Sequence, residues 1–295
     1  MSKTVIIIAG PTAAGKTAVA IRLAQQLKTE IISADSRQCY REMNIGVAKP
    51  SPAELAAVHH YFINSHSIHK PANAADFETY ALNAAEEIFK KHDTAVIVGG
   101  TGLYIKSFCE GLDNIPPIDP ALHNEINASY NKFGLNWLKQ EVSELDPLYY
   151  ATGEIDNPHR LLRALEVIKG TGQSIRHYQT KHKKNRDFNI IKFGIAPPKP
   201  VLQNQIDKRV DLMIEAGLVD EVKSLVPYKD LPALRTVGYS EIFEYLENKL
   251  TLEEAISNIK IHTRQYAKRQ MTWFKKDPEI QWFQPNDELP FKALK

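Results

Sequence analysis

Thr4-Val5-Ile6-Ile7-Ile8-Ala9-Gly10-Pro11-Thr12-Ala13-Ala14-Gly15-Lys16-Thr17 opens the chain with a strand-like run followed by a glycine-framed loop. Six residues, mostly β-branched, run straight into Gly-x-x-x-x-Gly-Lys-Thr, and from Lys16 to Leu27 the apolar residues Val19, Leu23 and Leu27 fall four apart. A buried strand, a glycine-framed loop and a helix form the context in which this motif folds as a P-loop. Glycines at 10 and 15 let successive backbone N–H groups turn inward toward phosphate oxygens, and the helix N-terminus adds partial positive charge. Gly10, Pro11, Thr12, Ala13, Ala14, Gly15, Lys16 and Thr17 are therefore the candidate phosphate-binding residues. Lys16 supplies a mobile cation, and the Thr17 hydroxyl is placed to hold a Mg²⁺ bridging two phosphates.

Working outward, Glu30 to Ala34 and Thr94 to Val98 are again short, apolar and β-branched, as buried parallel strands are. Phe77 to Lys91, with Tyr80, Ala84 and Ile88 at helical spacing, separates the two. Repeated βα units imply a doubly wound parallel sheet. Past Gly111 the character changes. Ile115-Pro116-Pro117-Ile118-Asp119-Pro120 breaks the pattern, polar helical sequence follows to about Lys169, and a further strand runs from Asn189 to Ala196. The expected organisation is an α/β core, residues 1–112 plus 188–295, carrying an inserted and mainly helical domain, residues 113–187. Two helices are expected to close the core: one with Ile206, Val210, Met213, Ile214 and Leu218 on its apolar face, and one from Leu252 to Lys275.

Composition narrows the setting. In 295 residues, 43% are hydrophobic and 24% charged, and no apolar run nears the roughly 18 to 20 residues that cross a bilayer. Residues 4–9 are too short for a signal-peptide core. Two cysteines, Cys39 and Cys109, provide neither a disulfide framework nor a zinc ligand set. A soluble, cytoplasmic protein without a membrane partner is expected. The net charge of +2 decides nothing about nucleic acid, because the clustering of basic residues matters more than their sum.

A P-loop says that polyphosphate binds, not which group moves. There is no Asn-Lys-x-Asp guanine reader, and Val96-Ile97-Val98 runs into Gly99-Gly100-Thr101-Gly102 where motor-type ATPases carry an acid at the strand end. Kinases and transferases remain, both of which deprotonate an acceptor. Ser33-Ala34-Asp35-Ser36-Arg37-Gln38-Cys39-Tyr40 follows the second strand and so opens on the same sheet edge as the P-loop. Asp35 is the candidate base; it can equally cap a helix or sit behind a magnesium ion. On these residues alone a small-molecule or nucleotide kinase stays open.

Other motifs carry a resemblance. Asn44-Ile45-Gly46-Val47-Ala48-Lys49-Pro50, His59-His60, Gly99 to Tyr104, Asn157 to Val167, Arg209-Val210-Asp211, Val237-Gly238-Tyr239 and Thr263 to Phe274 stand in order with the P-loop and the Asp35 segment. Together they resemble the tRNA dimethylallyltransferase family, also called tRNA isopentenyltransferases, over nearly the whole chain, and the form is similar to the bacterial one. The resemblance implies a P-loop NTPase-like fold. It also implies transfer of a dimethylallyl group from dimethylallyl diphosphate to N6 of the adenine immediately 3′ of the anticodon, with Mg²⁺ as cofactor. The partners implied are the tRNA anticodon stem-loop and the prenyl diphosphate, with the enzyme a monomer. Asp35, Thr17, Thr101 and Arg209 would serve the reaction, with Arg209 on the diphosphate and Thr101 near the base.

The same resemblance places three groups against the RNA. These are Asp35, Ser36, Arg37, Gln38 and Thr101; then His123, His159, Arg160, Leu161, Leu162 and Arg163; then Arg235, Thr236, Val237, Gly238, Tyr239 and Ser240. Gln38 is expected to read a base edge, and His123 stands where relatives usually have an arginine. Charge clustering agrees with an RNA partner. Glu166 is the one acid between Asn157 and Arg186, a segment holding Arg160, Arg163, Lys169, Arg176, Lys181, Lys183, Lys184 and Arg186. Lys260, Arg264, Lys268 and Lys275 form a second basic stripe, with Ile256, Ile259, Tyr266, Met271 and Phe274 expected on the packed side. Adjacent His59 and His60 do not face one way and argue against a metal site. An RNA-binding protein with a vestigial P-loop is the non-enzymatic alternative.

Overall fold

A computed structural model describes residues 3–180 and 183–287. The chain divides into two compact units, residues 1–109 with 185–295, and residues 110–184. The seams fall three residues ahead of those expected from the proline-rich break and from the return strand.

The first unit contains β1 (Thr4–Ala9), α1 (Lys16–Leu27), β2 (Ile31–Ser33), α2 (Pro52–Ala57), β3 (His60–Tyr61), α3 (Ala74–Phe89), β4 (Thr94–Gly99) and α4 (Gly102–Glu110). The second holds α5 (Pro120–Leu145), α6 (Pro147–Thr152), α7 (Pro158–Thr171) and α8 (Ile175–Tyr178). The first unit then resumes with β5 (Asn189–Ile195), α9 (Lys199–Glu215), α10 (Leu218–Ser224), α11 (Tyr239–Leu246), α12 (Leu252–Phe274) and β6 (Gln281–Phe283). Among the described residues the strands form one parallel sheet in the order β3-β2-β4-β1-β5-β6. The P-loop strand β1 is thus central, paired in register with β4 (Thr4 to Thr94) and β5 (Thr4 to Asn189).

Alternation along the strands builds two apolar layers, since successive strand side chains point to opposite faces. Ile6, Ile8, Ile31, Val96, Val98, Phe193 and Ile195 pack with Val19, Ala20, Leu23 and Ala24 of α1. Val5, Ile7, Ala9, Ile32, Ala95 and Ile97 pack on the other face with Phe77, Ala81 and Ile88 of α3 and Ile105 and Phe108 of α4. The carboxyl ends of β1, β2 and β4 then open into the P-loop, the Asp35 segment and the Gly99–Gly102 turn, on one edge of the sheet.

Leu218 does not extend the apolar face of α9: the helix stops at Glu215, Gly217 takes φ +96°, and Leu218 begins α10. The core closes with α9, α10, α11, α12 and β6 rather than two helices. Arg186 belongs to no RNA-facing cluster. It is nearly buried, its Nη2 lies 2.9 Å from Glu78 Oε1, and its Nε and Nη2 donate to the carbonyls of Phe108 (2.7 Å) and Ser107 (2.9 Å). Lys181 lies outside the described residues.

The second unit has its own core, in which Ile126, Leu138, Val142, Tyr149, Leu161, Leu162, Leu165 and Val167 are buried. Two of these, Leu161 and Leu162, were expected against RNA. At 0% and 8% exposure their side chains instead hold α7 to α5, because they fall on the helix's apolar face.

Candidate active site: a phosphate cradle opening into a larger cavity

The P-loop is held in an unusual backbone path. Gly10 takes φ +145° with its Cα against the Ile195 carbonyl, so that a Cβ there would collide; Ala13, though not glycine, also has positive φ (62°). Gly15, at φ +83°, caps α1 in the left-handed region without a side chain. The fold fixes the loop from outside through Gln270 of α12, a buried residue. Its Oε1 accepts the Thr12 N–H at 2.8 Å and its Nε2 donates to the Gly100 carbonyl at 2.9 Å. One amide therefore ties the P-loop to the turn after β4.

The loop walls a cavity of about 230 Å³ together with Ser33, Asp35, Gln38, His60, Arg209 and Tyr266. Lys16 is half-buried there, its Nζ donating to the Pro11 carbonyl at 2.6 Å. Burial pushes the Lys16 ammonium down to about 7; the neighbouring Arg209 charge adds to the depression and Asp35 opposes it. Burial likewise lowers Arg209, whose Nη1 donates to Thr12 Oγ1 at 3.4 Å. Two crowded cations at the mouth of a helix N-terminus make a site that an incoming polyanion stabilises.

Asp35 is turned by its own loop: Oδ1 accepts the N–H groups of Arg37 (2.8 Å) and Gln38 (3.2 Å). No helix follows, so the helix-cap role weighed from sequence becomes a turn closed by Oδ1, and Oδ2 is left without a hydrogen bond among the described residues. Asp35 lines both this cavity and a second one, of about 580 Å³, which also takes in Ser36, Arg37, Val210, Met213, Arg235, Thr236, Val237, Gly238, Ser240, His262 and Arg269. Thr101 supports the loop rather than either cavity, since its Oγ1 accepts the Ser36 N–H at 3.0 Å and donates to Ser36 Oγ at 3.3 Å. Thr17 is on the wall of the smaller cavity. Among the described residues no cluster of three acidic, His or Cys side chains is placed to hold a metal. A hydroxyl beside a phosphate cradle still fits Mg²⁺, which binds through few protein oxygens and chiefly through phosphates and water.

Two further site residues serve the scaffold. Gln38 cannot read a base edge as it stands: its Nε2 donates to the carbonyls of Val47 (3.3 Å) and Ala48 (2.9 Å), and its Oε1 accepts from Ser33 Oγ (3.3 Å). Tyr239 is fully buried with its hydroxyl 2.5 Å from Glu221 Oε1, while Glu221 also accepts the N–H groups of Ile45 (2.7 Å) and Gly46 (3.1 Å). The Asn44–Pro50 motif is therefore pinned from α10. Gly238, at φ +95°, turns the 235–240 segment, and buried Glu241 accepts its N–H at 2.7 Å while meeting His262 Nδ1 at 2.6 Å.

In the second unit His159, Arg160, Arg163 and His123 are exposed. Each of the last three already has an acidic partner: Arg160 with Glu154, Arg163 with Glu166 (3.2 Å), and His123 Nδ1 with Glu166 (2.6 Å). On α12 the basic stripe is half neutralised, Lys260 pairing with Asp211 (2.5 Å) and Arg264 with Asp207 from α9. Sequence reasoning missed Val47, Ala48, Tyr266 and Gln270 as cavity residues. His60, for which the sequence suggested a structural or substrate-positioning role, lines the smaller cavity. Its Nδ1 donates to the Val58 carbonyl at 2.8 Å, burial lowers the pKa of the ring, and its buried Nε2 has no partner among the described residues. Tyr266 was expected to pack; it is 37% exposed and lines both cavities.

A central P-loop strand, a crowded cationic cradle and a carboxylate shared with a larger cavity define a P-loop NTPase-like fold equipped for group transfer. The relatives are in accord. Residues 38–277 match the IPP transferase family model. The chain is 48% identical to the tRNA dimethylallyltransferase of Christiangramia forsetii, covering 96% of this chain and 94% of the relative, and 43% identical to that of Cytophaga hutchinsonii (97% and 94%). Among solved structures it is similar to the tRNA isopentenylpyrophosphate transferase of Bacillus halodurans, with TM-score 0.70 and 36% identity over 100% of this chain and 93% of that one. A eukaryotic dimethylallyltransferase acting on tRNA gives TM-score 0.80 at 26% identity, covering 97% and 75%. The chain belongs to the IPP transferase family.

Proposed function

We propose that the chain transfers a dimethylallyl group from dimethylallyl diphosphate to N6 of the adenine immediately 3′ of the anticodon in tRNA. The observation that carries the reading is the joining of two cavities at Asp35 and Arg209: one is a phosphate cradle, and the other is walled by arginines and wide enough for a base. An extruded adenine enters from the larger side, since a base inside a folded loop must leave its stack to react.

In the reaction the amine lone pair forms the new C1–N6 bond as the C1–O bond breaks, and the electron pair of that bond leaves on the diphosphate. The amine is a weak nucleophile because its lone pair is delocalised into the ring. Asp35 takes the N6 proton through its uncommitted Oδ2, a contribution usually worth about 10² to 10⁴ in rate. The P-loop amides, Lys16 and Arg209 hold the diphosphate as its charge grows. Mg²⁺, held by Thr17 and the diphosphate, would neutralise part of that charge. Thr101 acts by keeping the Asp35 turn in place. The basic faces of Arg37 and Arg235, and of His159, Arg160 and Arg163 in the second unit, are assigned to the RNA backbone.

Incubation with dimethylallyl diphosphate, Mg²⁺ and unmodified tRNA should yield N6-isopentenyladenosine in the anticodon loop. Metabolite-dependent ATP consumption that ignores tRNA would refute this assignment and favour a kinase. The reading also has the enzyme acting in the cytoplasm as a monomer; sedimentation of the purified chain checks the monomer, and fractionation of cells checks the location.

A further inference from the structure

Tyr266 occupies a position that helix periodicity assigns to the interior, yet it is 37% exposed and is one of six residues lining both cavities, with Thr12, Asp35, Val47, Ala48 and Arg209. The prenyl carbon that reacts is bonded first to diphosphate oxygen and then to the adenine amine. It must therefore pass through the region these six residues share. We propose that the Tyr266 ring is the wall against which this carbon becomes cationic, its π-face stabilising the allylic charge during transfer.

This deepens the prenyl-transfer reading and rests on it. As C1–O cleavage runs ahead of C1–N6 bonding, positive charge spreads over the allyl unit until the amine lone pair and the proton transfer to Asp35 discharge it. A wall of polar oxygens would capture such a carbon, whereas an aromatic face attracts it without forming a bond. Of the six shared residues Tyr266 alone has a π-face; Val47 and Ala48 supply only apolar contact for the methyl groups. The ring is already a cation partner, with the Arg269 guanidinium carbon 5.8 Å from its centroid. Burial, reinforced by the Asp35 charge, pushes the phenol up to about 12, so the hydroxyl stays protonated at neutral pH and does not compete with Asp35 as a base.

The experiment measures single-turnover prenyl transfer with saturating tRNA, together with KM for dimethylallyl diphosphate. Tyr266→Leu is expected to slow transfer by about tenfold while KM shifts by less than about threefold; Tyr266→Phe is expected to recover most of the rate. Phenylalanines bearing one, two and three ring fluorines at position 266 keep the shape while draining the π-face. They should lower the logarithm of the rate stepwise, whether or not the leucine variant folds. A flat fluorine series overturns the role of the ring even though the unmodified protein prenylates tRNA. No prenylated adenine from the unmodified protein overturns the activity itself, so the two failures are distinguishable.

Discussion

On the proposed reading, the phosphate cradle and the inserted unit of residues 110–184 hold an anion in opposite ways. The cradle is mostly main chain, with N–H groups, a helix terminus and a loop whose shape depends on Gly10, Ala13 and Gly15, to which Lys16 and Arg209 add their charges. The insert presents side chains on a small independent core, and each of its exposed arginines at 160 and 163 already leans on an acid. Backbone binding is preorganised and tolerates little change. Side-chain binding is adjustable and weak per residue, because a phosphate reaching Arg160 or Arg163 has first to displace Glu154 or Glu166.

The largest test of that contrast is Asp35→Ala, which should lower kcat by about a thousandfold while tRNA affinity, measured by filter binding, stays within about threefold. A matching loss of affinity would merge the two functions that the proposed reading keeps apart. Next, Leu161→Ala empties part of the insert's core and should destabilise that unit by about 3 kcal/mol, read as loss of amide protection confined to residues 110–184. Spread of the effect into the sheet would show that the units do not fold independently.

A third test uses the depressed Lys16. Its charged form predominates below about pH 7 in the free protein, and a bound polyanion raises its pKa again. Inorganic pyrophosphate binding, corrected by the Lys16→Met variant for the ligand's own titration, should therefore weaken by about tenfold per pH unit above 7. A pH-independent difference between the two proteins would remove Lys16 from the cradle. The smallest effect is expected from Arg163→Ala: about threefold weaker tRNA binding, with a shallower dependence on salt.

The sequence disclosed most where a short-range rule governed. The P-loop was readable because strand, glycines and lysine are contiguous, and the main strands because continuous apolar runs mark buried parallel sheet. Strands β3 and β6 were not, since two and three residues carry no periodicity and exist only through their pairing with β2 and β5. Side-chain roles were harder still. Gln38, Leu161, Leu162 and Tyr239 sit inside motifs whose neighbours face the cavities or solvent, and only the packed fold reveals that their own groups are committed inward. Tyr266 erred the other way, because helix spacing says which residues share a face but not whether that face is roofed.

The Gln270 bridge has a consequence for synthesis on the ribosome. The cradle is encoded within the first seventeen codons, but its Thr12 amide is fixed by a side chain 258 positions downstream. The strand that launches it finds its two neighbours only at residues 94–99 and 189–195. A nascent chain halted before residue 270 should expose the whole motif yet fail to grip pyrophosphate, so the earliest part of the protein to be made is among the last to work.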